Sequence, residues 1–255
     1  MKIGAQLYTV RDHCQSLDAF AQTLTKVADM GYHTVQMSGC CRYEPEWFKE
    51  QLDKNGLTCQ LTHMEMEDII RNPDQLVADH NVYGCKHIGI GYMPPEYRGD
   101  TKKVAAFCHK LDAAARRISQ LGSKLMYHNH WFEYDDRGDG KNYMEMIGEH
   151  FPEIEMGFTL DTYWVEFAGY DLVSEINRLS GRLPCVHLKD LEILPDGTRR
   201  YCPVGTGTIN FEKALAAFEE AGTQVAFVEQ DESFGEDPFV CLKKSLDYLH
   251  SLGYE

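Results

Sequence analysis

The chain has 255 residues, of which 43% are hydrophobic and 25% charged, a composition that supports a buried core and excludes a disordered, fibrous or membrane-spanning chain. Asp and Glu number 40 against 25 Lys and Arg, a formal charge of −15, so phosphate backbones and anionic lipid surfaces are repelled by most of the exterior. Neither nucleic acid nor membrane is expected as a partner.

The opening stretch MKIGAQLYTVRDHC lacks the apolar run and small-residue cleavage site of a secretory signal, and no segment reaches the ~18 apolar residues of a membrane span. A cytoplasmic location is expected. Nine cysteines form an odd set with no CxxC pair, which predicts reduced, small core residues rather than a disulfide framework or a thiolate zinc site.

Taken in order, eight short β-rich runs alternate with stretches of helical period. The runs are KIGAQLY, HTVQM, LTCQLTH, KHIGIGY, KLMYHNH, EMGFTLD, PCVHLKD and TQVAFVEQD. The helical stretches run from Leu17 to Met30, Glu46 to Asn55, Asn72 to Tyr83, Lys102 to Leu121, Tyr143 to Glu149, Asp171 to Leu179, Phe211 to Ala221 and Pro238 to Leu252. Gly31, Gly56, Gly122 and Gly222 each follow a helical stretch, where a C-cap favours positive φ. Eight βα units in one unbroken series predict an α/β fold, a (β/α)8 TIM barrel, as a single domain over residues 1–255. An open doubly wound sheet calls for a Gly-rich phosphate loop after the first strand, and QLYTVRD has no glycine there.

The strand middles are apolar and their C-terminal ends polar, which places the chemistry on the face where barrels build active sites. Four consecutive strand ends carry metal-type ligands: YHNHWFE (His128, His130, Glu133), TLD (Asp161), VHLKD (His187) and VEQD (Glu229). From Glu133 to Asp161, His187 and Glu229 the steps are 28, 26 and 42 residues, each about one βα repeat with its loop. One imidazole with three carboxylates suits a hard or borderline divalent ion, Mn²⁺ first, with Mg²⁺, Co²⁺ or Zn²⁺ as alternatives. Taken singly, Asp161 could instead cap the next helix, His187 could be a satisfied core histidine, and Glu229 could be plain surface.

GAQLYTVRD, GYHTVQMSG, YHNHWFEY, TLDTYW, HLKD, PVGTGTINF and FVEQD together resemble the xylose-isomerase-like TIM barrels, the sugar phosphate isomerases and epimerases, over nearly the whole chain. The resemblance implies a Glu-Asp-His-Glu metal site carried over onto Glu133, Asp161, His187 and Glu229. Where ketose epimerases of this fold have Glu at the end of strand 5, this chain reads YHNH, so His128 is the alternative first ligand. Gln36 and Thr206 stand where many relatives carry Glu. These departures favour the YHNH-type subgroup.

The implied reaction on a small carbohydrate or cyclitol is proton removal beside a metal-bound carbonyl through an enediolate, giving isomerisation or epimerisation. Lyase or dehydratase chemistry is the alternative, including inosose dehydration and cleavage of 3-keto- or C-glycosides. His128, His130, Glu133 and Glu229 are candidate bases. Lys189, two residues after His187, shares its face by strand alternation and could meet an oxyanion or pair with Asp190 or Glu192. Tyr8, Trp131, Tyr163 and Trp164 could stack on a sugar, with helix packing as the other reading of Trp164. Arg199 and Arg200 read as solvated loop charge. A zinc-dependent endonuclease of this fold is the remote alternative, opposed by the net charge. A homo-oligomer or a partner subunit, some relatives acting with one, is a further expectation.

Overall fold

The computed structural model describes residues 1–255. Eight parallel strands line up as β1 (Lys2–Gln6), β2 (Thr34–Met37), β3 (Thr58–Met64), β4 (His87–Ile90), β5 (Lys124–His128), β6 (Met156–Thr159), β7 (Cys185–Leu188) and, after an antiparallel hairpin of β8 (Asp190–Ile193) and β9 (Arg199–Cys202), β10 (Val225–Val228). The sheet runs β6-β5-β4-β3-β2-β1-β10-β7. Its two free edges meet through an isolated parallel bridge between Asp161 and His187. The His187 N–H donates to the Leu160 carbonyl at 2.9 Å, and the Thr162 hydroxyl donates to the Lys189 carbonyl at 2.7 Å. The seam that closes the barrel is therefore made by candidate site residues.

All eight expected strands are present, and the expected helices form within a residue or so of their reading: α1 (Leu17–Asp29), α2 (Pro45–Lys54), α4 (Pro73–Val82), α5 (Thr101–Gln120), α6 (Tyr143–His150), α8 (Leu172–Arg178), α9 (Phe211–Glu220) and α10 (Pro238–Ser251). Two short helices, α3 (Met66–Arg71) and α7 (Thr162–Phe167), and the hairpin were not anticipated. Six residues carry too little periodicity to register a helix, and both short helices sit in loops at the active face. The expected C-cap glycines take positive φ, 81° at Gly122 and 85° at Gly222.

Side-chain alternation divides the strands into two faces. Outward residues such as Ile3, Val35, Ile88, Tyr127, Phe158 and Val186 join the helices in the main core, whereas Leu61, Met126, Cys185, Val225 and Phe227 form a separate small cluster that plugs the barrel interior. Moving up each inward row in steps of two residues leads from Met126 to His128, from Leu61 to His63, from Cys185 to His187 and then Lys189, and from Phe227 to Glu229. The apolar plug thus forms the floor beneath a polar layer. After β7 the Asp190 carboxylate gathers the N–H groups of Leu191, Gly205, Gly207 and Ile209 at 2.8–3.2 Å, folding the PVGTGTINF segment back against the strand end.

Gly4 shows how tightly the plug is packed, since a Cβ there would stand 2.6 Å from the Phe227 ring. Gly4→Ala is expected to cost about 1–3 kcal/mol by overpacking. Urea denaturation of Gly4→Ala in the wild-type and Phe227→Leu backgrounds checks this, with a smaller penalty expected where the ring is gone.

Candidate metal centre and active site

His128, Asp161, His187 and Glu229 place one ligand atom each within 4.8 Å of one another, all buried. The imidazoles are oriented from behind. The His128 Nδ1 lies 2.8 Å from the Gly91 carbonyl, and the His187 Nε2 lies 2.7 Å from the Gln36 side-chain oxygen. Each outer acceptor takes a hydrogen bond from the nitrogen facing it and turns the other nitrogen toward the cluster, as hydrogen-bond partners behind metal-binding histidines do. The inner atoms then face carboxylates: His128 Nε2 is 3.1 Å from Asp161 Oδ2, and His187 Nδ1 is 2.8 Å from Glu229 Oε2 and 3.7 Å from Asp161 Oδ2.

Four acceptors converging in a buried volume require a cation or protons between them. The His187 Nδ1 and Glu229 Oε2, though close, are out of line for a hydrogen bond, so the His187 Nδ1 has no hydrogen-bond partner and Glu229 Oε2 is met only by the Lys189 ammonium, 3.0 Å away. Two imidazoles and two carboxylates are the donor set of a borderline divalent ion, and the outward hydrogen bonds complete it, so these residues fit a metal. Burial works to raise Asp161 and Glu229, but the Lys189 ammonium and the neighbouring imidazoles outweigh it and hold both carboxyls well below their usual range. Burial likewise works to lower His187, and Glu229 and Asp161 outweigh it, so its pKa ends above the ordinary imidazole value.

Asp161 caps the next helix and also faces the cluster. Its Oδ1 caps α7 by accepting from the Tyr163 and Trp164 N–H groups at 2.9 and 3.3 Å, while Oδ2 faces the cluster. Its own N–H donates to Asn129 Oδ1 at 2.9 Å, so the middle residues of YHNH tie the end of β5 to the end of β6.

Glu133, carried over as the first ligand, is corrected: it lies outside the group, and His128 takes that place. Tyr127 faces outward when His128 faces in, and the chain turns back in a 3-10 segment, Phe132–Tyr134, that lays the Glu133 carboxylate against the Tyr127 hydroxyl and the His130 N–H, 2.8 Å away. Burial pushes Glu133 up to about 7. Trp164 also differs from expectation as a sugar contact: it is 7% exposed and packs behind Trp131 at 5.1 Å between ring centroids, whereas Trp131 is 43% exposed at the rim. Arg199 donates to the Phe167 carbonyl and Arg200 pairs with Glu192, so both serve the hairpin.

Above the cluster opens a cavity of about 450 Å³ whose wall includes Tyr8, His63, His128, His130, Trp131 and Glu229. His63 was missed at sequence level, although LTHM ends strand 3 as the ligand-bearing strands end. It and His130 flank His128, at ring distances of 5.3 and 4.9 Å. Burial, joined by the neighbouring imidazoles, and for His130 also by Lys189, holds both well below the ordinary histidine range. Each keeps one buried nitrogen without a partner, Nε2 of His63 and Nδ1 of His130. Asp231, also missed, joins Lys189 at 3.0 Å. A second His-Asp-His group, His109, Asp112 and His150, lies more exposed on α5 and α6 and is already hydrogen-bonded within itself.

The sequence profile of the family described as "Xylose isomerase-like TIM barrel" matches residues 24–252. No curated protein gives a significant sequence match. Among solved structures, a sugar phosphate isomerase/epimerase from Parabacteroides distasonis is 21% identical with a TM-score of 0.79, covering 98% of this chain and 97% of that one. D-psicose 3-epimerase from Clostridium cellulolyticum is 13% identical with a TM-score of 0.74 and full coverage of both chains. A probable 3-DHS dehydratase from Bacillus anthracis is 15% identical with a TM-score of 0.73, covering 98% and 99%. At these identities the likeness is one of fold.

Replacing Gln36 by Leu removes the acceptor that fixes the His187 tautomer. Titration calorimetry with Mn²⁺ is expected to show affinity lowered by about 10–100-fold, the usual effect of losing the hydrogen-bond partner behind a ligating histidine.

Proposed function

The chain belongs to the xylose isomerase-like TIM barrel family, and from that premise we propose that it is a divalent-metal-dependent sugar isomerase or epimerase that removes a proton beside a carbonyl. The observation that carries this reading is the ring of inward-facing acceptors at the floor of a cavity of sugar size, with uncommitted neutral imidazoles in its wall. His128, Asp161, His187 and Glu229 would hold the ion, with Mn²⁺ the first candidate for this oxygen and imidazole set. The ion supplies Lewis-acid polarisation of a bound carbonyl and its neighbouring hydroxyl.

The remaining work falls to this chain's side chains. His130 and His63, each with one buried nitrogen free of any partner, are placed to take up and return a proton. A pair of such groups flanking one ligand supports proton delivery at a different position from its removal, which isomerisation and epimerisation both need. The Lys189 ammonium offers positive charge to oxygen atoms that become anionic as the proton leaves. Tyr8 and Trp131 present aromatic faces for the apolar side of a sugar ring. No helix of the protein is long and apolar enough to cross a membrane. The nine cysteines are all free, which supports a cytoplasmic site of action.

The purified protein is expected to carry one divalent ion, read by elemental analysis, and to lose activity when chelated. Incubated in D₂O with a panel of ketoses, aldoses and inososes, it is expected to incorporate deuterium at the carbon next to the carbonyl, read by NMR. Loss of water or of a glycosidic group without deuterium in recovered substrate would favour the lyase reading, and no turnover of any kind would overturn both. Asp161→Asn and His187→Ala are expected to abolish metal and activity with an unchanged circular dichroism spectrum. His130→Gln is expected to retain metal while slowing exchange by about 10²–10⁴-fold, the usual contribution of a general acid or base.

A further inference from the structure

Lys189 is 1% exposed and stands inside the ligand group. Its ammonium lies 3.0 Å from Asp161 Oδ2, 3.0 Å from Glu229 Oε2 and 3.0 Å from Asp231 Oδ1. The first two oxygens belong to the atoms that would bind the ion, and the third does not. The rings of Trp164 and Tyr201, each 5.6 Å away, add cation-accepting faces to its surroundings. A lysine on a flexible four-carbon stem can shift between acceptors without moving the backbone.

Three ionised carboxylates against one ammonium leave two negative charges, which matches a divalent cation. The ammonium and that cation are nonetheless drawn to the same two oxygens and repel each other at close range. Resting on the metal reading above, we propose that Lys189 is a resident counter-ion that holds Asp161 and Glu229 in place before the metal arrives and is retained by Asp231 when it binds. Asp231 then sets metal affinity through Lys189 without touching the metal. In this role Lys189 and Asp231 are positioning residues. The arrangement explains how the two acids stay together, buried, before loading, when mutual repulsion would otherwise drive them apart.

A double-mutant cycle in Mn²⁺ affinity tests it, with Mn²⁺ followed by calorimetry or by loss of the free-ion electron paramagnetic resonance signal. Lys189→Met is expected to bind Mn²⁺ at least tenfold more tightly than wild type while its metal-free form melts at a lower temperature. Asp231→Asn is expected to weaken binding at least tenfold when Lys189 is present and less than threefold in the Lys189→Met background. A purely structural ion pair would lower the melting temperature without tightening Mn²⁺ binding, and that result overturns the proposal. An equal Asp231→Asn effect in both backgrounds overturns it too, because Asp231 would then act on the ion directly. If Lys189→Met does not fold free of metal, Lys189→Gln refolded with Mn²⁺ and titrated with a chelator gives the same comparison. Absence of Mn²⁺ from the wild type alone, with binding in Lys189→Met, overturns the retention of Lys189 by Asp231, whereas absence from every variant overturns the metal reading together with this one.

Discussion

Everything at the mouth of this barrel depends on one electrostatic constraint: several acceptors, two imidazole nitrogens and two carboxylates, are packed toward one buried point. Left to themselves they repel, and water cannot reach them freely enough to compensate. Their orientation is imposed from outside the ring, by the Gly91 carbonyl on His128, the Gln36 side chain on His187 and the α7 N–H groups on Asp161. Positive charge inside the ring is what lets such an arrangement persist, and Lys189 is the part of it that the chain itself supplies.

The barrel is built so that this constraint sits where the sheet closes. Only the seam between β6 and β7 lacks a regular ladder, and it is joined by Asp161, His187, Thr162 and Lys189. Closure and site assembly are thus one structural event. The apolar plug of Leu61, Met126, Cys185, Val225 and Phe227 beneath it gives a dry floor, which strengthens every charge interaction above. The wall of the cavity over the ring holds the histidines His63 and His130 and the aromatic faces of Tyr8 and Trp131, together with the charged side chains of Glu65 and Arg98.

Much of this was legible in the sequence because strand chemistry is periodic. The eight runs could be counted, the glycines after the helices marked their ends, and alternation put Lys189 on the face of His187. Asp161, His187 and Glu229 stood out as acids or imidazole ending apolar runs. Glu133 did not follow that logic, because it lies beyond the strand in a turn whose direction periodicity does not encode. His128 was the in-phase residue, two positions above Met126. His63 obeyed the same rule and was passed over, although Glu65 follows it two residues later. Trp164 looked like a sugar contact until the short helix α7 turned it behind Trp131.

By itself the sequence determined the number and order of the βα units, the polar ends of the strands and the kind of donor atoms gathered there, since all of these follow from local pattern and residue chemistry. Only the tertiary structure decided which donor at β5 reaches the ring, which tautomers the histidines hold, and that Lys189 shares its ammonium among Asp161, Glu229 and Asp231. Those depend on groups more than 20 residues apart meeting at the closed end of the barrel, where distance and direction, rather than residue type, determine what each atom can bind.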